Sequence, residues 1–185
     1  MNMNLVYYLP GANGRLETGL GQGLMQRGLS VTGRATRDAF RALAFQDQIN
    51  LITQDLQAAH WLPDARVVAN SYGGYLFLRA QAQMSPFPGK LLLLSPILGA
   101  FETDTPPRIF VPPRAERIMA LARQQALPKP LQANVHVGSE DWQSQPEVVS
   151  EFCQLIGAQF TLAPGRGHML GEDYVGPVLD AWLSA

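Results

Sequence analysis

Three residue types in this chain could together activate a hydroxyl group. They are a serine held between small residues, a histidine in a glycine-rich loop, and an acid that falls between them in chain order. The serine is Ser71, in Arg66-Val67-Val68-Ala69-Asn70-Ser71-Tyr72-Gly73-Gly74. A β-branched apolar run ends there and an apolar helical pattern begins at Tyr75-Leu76-Phe77-Leu78. A serine at such a corner sits on strained backbone and projects its hydroxyl above the sheet. The positions two before and two after it must be nearly bare, because strand and helix almost touch. Gly73 meets that need fully, and Ala69 meets it with a single methyl group.

A serine needs a base to take its proton and a carboxylate to hold that base in the right tautomer. The chain has three histidines. His136 alternates within Val135-His136-Val137 and reads as a core strand residue. His60 ends a helical pattern before Trp61 and reads as a cap. His168 lies in Pro164-Gly165-Arg166-Gly167-His168-Met169, a loop after the last expected strand, from which it can reach over the sheet edge. It is the candidate base. Serine first, acid second and histidine last is the order of one known arrangement. Val137-Gly138-Ser139-Glu140-Asp141-Trp142 then supplies the acid after the penultimate strand. Asp141 is preferred because a shorter side chain orients an imidazole more rigidly, with Glu140 as the alternative. Glu172 and Asp173 read as first-turn residues of the terminal helix.

An acyl-transfer site also needs two backbone N–H groups for the oxyanion. Tyr72, just after the serine, offers one. Ala12 offers the other, in the turn Pro10-Gly11-Ala12-Asn13-Gly14 after the first strand. The glycines do not make a nucleotide site. No P-loop lysine follows Gly14, and Gly19, Gly21 and Gly23 do not fit Gly-x-Gly-x-x-Gly.

These residues need a sheet whose strand ends converge. Leu5–Leu9, Leu29–Thr32, Val67–Ala69, Leu91–Leu94, Asn134–Val137 and Phe160–Leu162 read as strands. Continuous apolar runs such as Leu91–Leu94 suit central parallel strands covered on both faces. Leu16, Leu20 and Leu24 repeat at helical spacing, as do Phe45, Ile49, Ile52 and Leu56. Ser144-Gln145-Pro146-Glu147 reads as a capping box, with Gly157 placed to end that helix. Val175, Val178, Leu179 and Trp182 predict an amphipathic terminal helix. Strand–helix alternation repeated about six times predicts an α/β fold with a doubly wound, mostly parallel six-stranded sheet.

The expected organisation is one domain over residues 1–185. Residues 100–130, rich in proline and holding a helix between Pro113 and Leu127, form a cover above the carboxyl edge of the sheet. Ile109, Phe110, Ile118, Met119 and Leu121 could roof an acyl pocket there, with Ile118 and Met119 in contact with substrate. Trp142 and Met169 are further candidates for that contact. Arg108, Arg114, Arg117 and Arg123 face Glu102, Asp104 and Glu116 and read as a solvated helix face.

Composition sets outer limits. The chain has 185 residues, 46% hydrophobic and 16% charged, with net charge −1. That supports a well-buried core and gives no field to attract nucleic acid or an acidic membrane. Only Lys90 and Lys129 are lysines, so no polybasic tail exists. The single cysteine, Cys153, excludes an internal disulfide and reads as a buried inert thiol. The first residues lack a basic flank and a spanning length of apolar sequence, so a cytoplasmic location is expected.

Ala69-Asn70-Ser71-Tyr72-Gly73, Asp141 and His168 resemble the α/β-hydrolase family over nearly the whole chain. The likeness is to small members that keep a six-stranded core. It implies a Ser71–His168–Asp141 triad and an acyl-enzyme route that needs no metal or cofactor. The expected substrate is a carboxylic ester or thioester of a small to medium acyl group. The alternatives are a binding protein that keeps the fold with little or no turnover, or another chemistry of the family such as amide hydrolysis, acyl transfer or C–C bond hydrolysis. Two departures stand out: Ala69 replaces the first glycine, and Pro10 stands where many members have histidine.

Overall fold

Apolar runs such as Lys90-Leu91-Leu92-Leu93-Leu94 have no polar face to turn to water, so they are stable in a sheet covered on both sides. The computed structural model describes residues 4–102 and 109–185, and the side chains of Glu102, Ile109 and Phe110 lie outside the described part. The strands are β1 (Leu5–Leu9), β2 (Ser30–Gly33), β3 (Arg66–Asn70), β4 (Lys90–Leu94), β5 (Phe101–Glu102), β6 (Ile109–Phe110), β7 (Gln132–Gly138) and β8 (Gln159–Ala163). Six of them form one parallel sheet in the order β2-β1-β3-β4-β7-β8. β5 and β6 form a separate antiparallel ribbon.

Side-chain alternation along the strands divides the interior into two layers. Tyr7, Leu9, Val67, Ala69, Leu91, Leu93, Val135 and Val137 face one way. They meet α3 (Phe45–Asp55), α4 (Tyr72–Gln81), α5 (Arg117–Arg123) and α6 (Pro146–Ile156). Val6, Tyr8, Val68, Leu92 and Leu94 face the other way, against α1 (Leu20–Gln26) and α7 (Glu172–Ser184). The chain leaves β1 toward β2 on one side and then places β3 on the other side of β1. The carboxyl ends of β1 and β3 therefore flank the point where strand order reverses, and open parallel sheets form their crevices there.

Several expectations need correction. The helix expected from Leu16 begins only at Leu20, because Gly19 takes φ 53° and Gly21 packs against the Leu16 carbonyl. The second strand runs one residue later than its apolar pattern, at Ser30–Gly33. A short α2 (Asp38–Ala42) forms where no helix was expected. His60 is not a cap. α3 continues into a π turn at Leu56–His60, and the buried His60 ring places Nε2 3.0 Å from Thr32 Oγ1.

Ser144 does not cap α6. Gln145 holds the N-cap position, and the Ser144 hydroxyl instead donates to the Ser95 carbonyl at 2.6 Å. Gly157 does end α6, in the left-handed conformation at φ 75°. Cys153 is buried, and burial pushes its thiol up to about 12. Arg108, Asp104 and the rest of 103–108 lie outside the described residues, whereas Arg123 pairs with Glu151 at 2.8 Å. Among the described residues no helix is long and apolar enough to cross a membrane, and no group of three or more His, Cys, Asp or Glu could hold a metal ion.

Candidate active site

β3 delivers Ser71 to the carboxyl edge, and the turn into α4 holds it at φ 53°, ψ −124°. That left-handed conformation is unfavourable for a residue with a side chain and persists where the surroundings enforce it. The enforcement is close packing. A β-carbon on Gly73 would lie 2.1 Å from the Leu9 carbonyl oxygen, so α4 can start only with glycine against the end of β1. Ala69 is fully buried between Leu9 and Leu93 of the neighbouring strands.

Ser71 Oγ lies 2.8 Å from His168 Nε2. His168 Nδ1 lies 3.0 Å from both carboxylate oxygens of Asp141. The Asp141 side chain is fully buried and that of His168 is 11% exposed. Asp141 Oδ1 also accepts the backbone N–H groups of Gln143 and Ser144, at 3.0 and 2.9 Å. Burial pushes the Asp141 carboxyl up. The His168 ring, the Ser144 N–H and the nearby Ser95 hydroxyl overbalance this and hold it below the ordinary carboxylate range. Hydrogen bonds to the charged form have that effect. Glu140, by contrast, is exposed, and only its main chain joins the site, donating to the Arg166 carbonyl at 2.8 Å.

The loop bearing His168 is anchored at both ends. Gly165 N–H donates to Ser139 Oγ at 2.8 Å, and Arg166 forms a two-pronged ion pair with Asp173 in the first turn of α7. The other two histidines stay away. His136 places Nδ1 2.9 Å from the Tyr174 hydroxyl, and His60 stays with Thr32.

The turn carrying Ala12 is laced to Thr36, a buried residue that its sequence context gave no reason to single out. Asn13 N–H donates to the Thr36 carbonyl, Gly14 N–H to the Thr36 hydroxyl, and that hydroxyl to the Gly11 carbonyl. Tyr72 occupies the first position of α4, directly after Ser71, and it is Ser71 and Asn70 that border this turn's Gly11. Ser95 and Ser144 were missed as well, Ser144 because its spacing from Glu147 matched a cap. Ser95 directly follows β4 at φ 46°, with its hydroxyl buried beside Asp141 at a geometry short of a full hydrogen bond.

The candidate substrate contacts separate. Met119 lines a cavity of about 220 Å³ together with Leu98, Ser144 and Val148, and Glu116 and Arg123 also border it. Ile118, one residue earlier, is fully buried in the core and lies outside that lining. Trp142 is about half exposed, with its ring edge-on to Phe101 at 5.7 Å. Met169 is 84% exposed beside His168.

No protein-family model matches the sequence, and no curated protein matches it either. Solved structures do resemble the fold. An α/β hydrolase from a sediment metagenome of the Mar Chica lagoon in Morocco is 16% identical, with 98% of this chain and 90% of that one covered and a TM-score of 0.66. The monoacylglycerol lipase of Paleococcus ferrophilus is 11% identical, with coverage of 97% and 94% and a TM-score of 0.66. A structure from a study of carboxylesterases of Nitrososphaera gargenis is 14% identical, with coverage of 97% and 89% and a TM-score of 0.64. Identities this low speak for architecture alone. With its six-stranded parallel sheet and these structural neighbours, the chain has the α/β-hydrolase fold.

Proposed function

We propose that this chain is a serine hydrolase that cleaves a carboxylic ester or thioester of a small to medium acyl group. The observation that carries the reading is the continuous hydrogen-bonded chain from Ser71 Oγ through His168 to Asp141, with the carboxylate buried and the serine on strained backbone.

Ser71 Oγ attacks the carbonyl carbon while its proton passes to His168 Nε2. Asp141 holds the ring in the tautomer that presents Nε2 as acceptor, and it stabilises the imidazolium that forms. The carbonyl oxygen becomes an anion, which accepts hydrogen bonds donated by the backbone N–H groups of Tyr72 and Ala12. Collapse breaks the bond to the leaving alcohol or thiol, which takes the proton from His168. Water, deprotonated by the same ring, then attacks the acyl-serine, and the acid departs as Ser71 regains its proton. In this reading residues 1–185 act as one catalytic unit and 100–130 serve as its cover. The cavity lined by Leu98, Met119 and Val148 suits a short acyl group or alcohol. Trp142 and Met169 stand at the rim.

The test is covalent labelling by a fluorophosphonate probe alongside hydrolysis of p-nitrophenyl butyrate. Wild type should label and turn over, and Ser71→Ala should do neither, with turnover down about 10⁴- to 10⁶-fold. A wild-type protein that neither labels nor hydrolyses any ester in an acetyl-to-decanoyl series would leave a fold without this chemistry.

A further inference from the structure

The residue before Ser71 carries a polar side chain that the steps above leave unused. Asn70 is half-buried at the end of β3, and its amide oxygen accepts a hydrogen bond from the Tyr8 hydroxyl at 2.9 Å. Tyr8 is almost fully buried, and burial pushes its phenol well above the ordinary tyrosine range. The phenol therefore keeps its proton across the working range and remains a donor. A donor on Oδ1 fixes the amide the other way round, with Nδ2 turned from Tyr8. Among the described residues Nδ2 meets no acceptor.

Where Nδ2 lies gives this meaning. The β-carbon that Gly11 lacks would sit 3.2 Å from Asn70 Nδ2, 3.2 Å from Ser71 Cβ and 3.6 Å from Ser71 Oγ. The amide and the nucleophile thus border one small gap, which stays open because residue 11 has no side chain. The next N–H along the chain is that of Ala12. We propose that Asn70 is a further catalytic residue: its Nδ2–H donates to the oxyanion that forms on the carbon attacked by Ser71, and Tyr8 acts as the positioning residue that fixes the amide. This rests on the serine-hydrolase reading above. The gap is where a carbonyl oxygen gains charge, and a preorganised donor there acts mainly on the transition state.

The experiment measures kcat and KM with p-nitrophenyl butyrate for wild type, Asn70→Ala, Asn70→Asp and Tyr8→Phe. It adds the inhibition constant of a trifluoromethyl ketone, which adds to serine as an oxyanion. Asn70→Asp has nearly the same shape, so it keeps the packing while removing the donor. Both Asn70 variants should lower kcat about 100-fold with KM within about threefold, the pattern of a contact made in the transition state. They should weaken the ketone in parallel. Tyr8→Phe should give a smaller loss of the same kind, because the amide keeps its donor but loses its pin. A fall in kcat of less than about fivefold in both Asn70 variants overturns the proposal, and so does a loss confined to KM. Fluorophosphonate labelling separates this from the underlying reading. An unlabelled, inactive wild type defeats both, whereas a labelled, active wild type with indifferent Asn70 variants defeats only the role of Asn70.

Discussion

The β-carbon that Gly138 lacks would lie 2.1 Å from the carbonyl oxygen of Arg166. β7 therefore ends in direct main-chain contact with the loop that carries His168, and the turn that carries Asp141 starts from the same glycine. Ser139 N–H donates to the Ala163 carbonyl at 2.9 Å and Glu140 N–H to the Arg166 carbonyl at 2.8 Å. Acid and imidazole meet because two loops from neighbouring parallel strands are bonded together at their bases, before any side chain is considered.

Gly138→Ala should accordingly disturb the site although it touches no reacting group. Its methyl must push the Arg166–Gly167 main chain away, and a displacement near 1 Å at a positioning element can lower rate about 100-fold. The measurement is kcat/KM on p-nitrophenyl butyrate, with the melting temperature recorded beside it. Activity within threefold of wild type would show that the His168 loop is not held by this contact.

Asp141→Asn should lower turnover far more than Glu140→Gln, by about 10⁴-fold. An amide at 141 can hold the imidazole in the wrong tautomer and does not stabilise its cation. Glu140 points to solvent, so its replacement should leave kcat within about twofold. Steady-state kinetics of the two variants decide the matter, and the opposite ranking would transfer the role to Glu140.

Ile118 and Met119 are adjacent in sequence and should behave differently. Ile118 is fully buried, so Ile118→Ala should destabilise the fold by about 2–5 kcal/mol. Met119 lines the cavity beside Ser144, so Met119→Ala should shift preference among acetyl-to-decanoyl esters by roughly 10- to 200-fold. Urea unfolding and an ester series read the two effects separately. An unchanged ester profile in Met119→Ala would place the acyl group elsewhere, toward Trp142 and Met169.

Stability should fall as pH drops below about 6.5, the ordinary histidine value. Burial lowers the pKa of both His60 and His136 in the folded chain. Between the unfolded and folded values the unfolded chain binds more protons, so acid favours unfolding and stability rises with pH in that window. Chemical denaturation at pH 5, 6 and 7 should show this slope in wild type and a shallower one in His60→Gln. An equal slope in the variant would remove His60 from the effect.

The strands were legible in the sequence because a central parallel strand must be apolar on both faces, and Leu5–Leu9 and Leu91–Leu94 leave few other options. The Ser71 corner was legible for a related reason, since only small residues at 69 and 73 let strand, turn and helix pass so close. Chain order and the count of three histidines narrowed the candidate base to His168. The tertiary structure decided what depends on distant neighbours. Leu16 carries the right spacing for a helix, but the Gly19–Gly21 backbone folds back on its carbonyl. Ser144 carries the pattern of a cap, but a carbonyl 49 residues earlier in the chain takes its hydroxyl. Ile118 and Met119 share one helix and both pack into the core, but only Met119 also reaches the cavity wall. Local pattern records what a residue can bond or bury, and the register of β3, β4, β7 and β8 determines which partner is within reach.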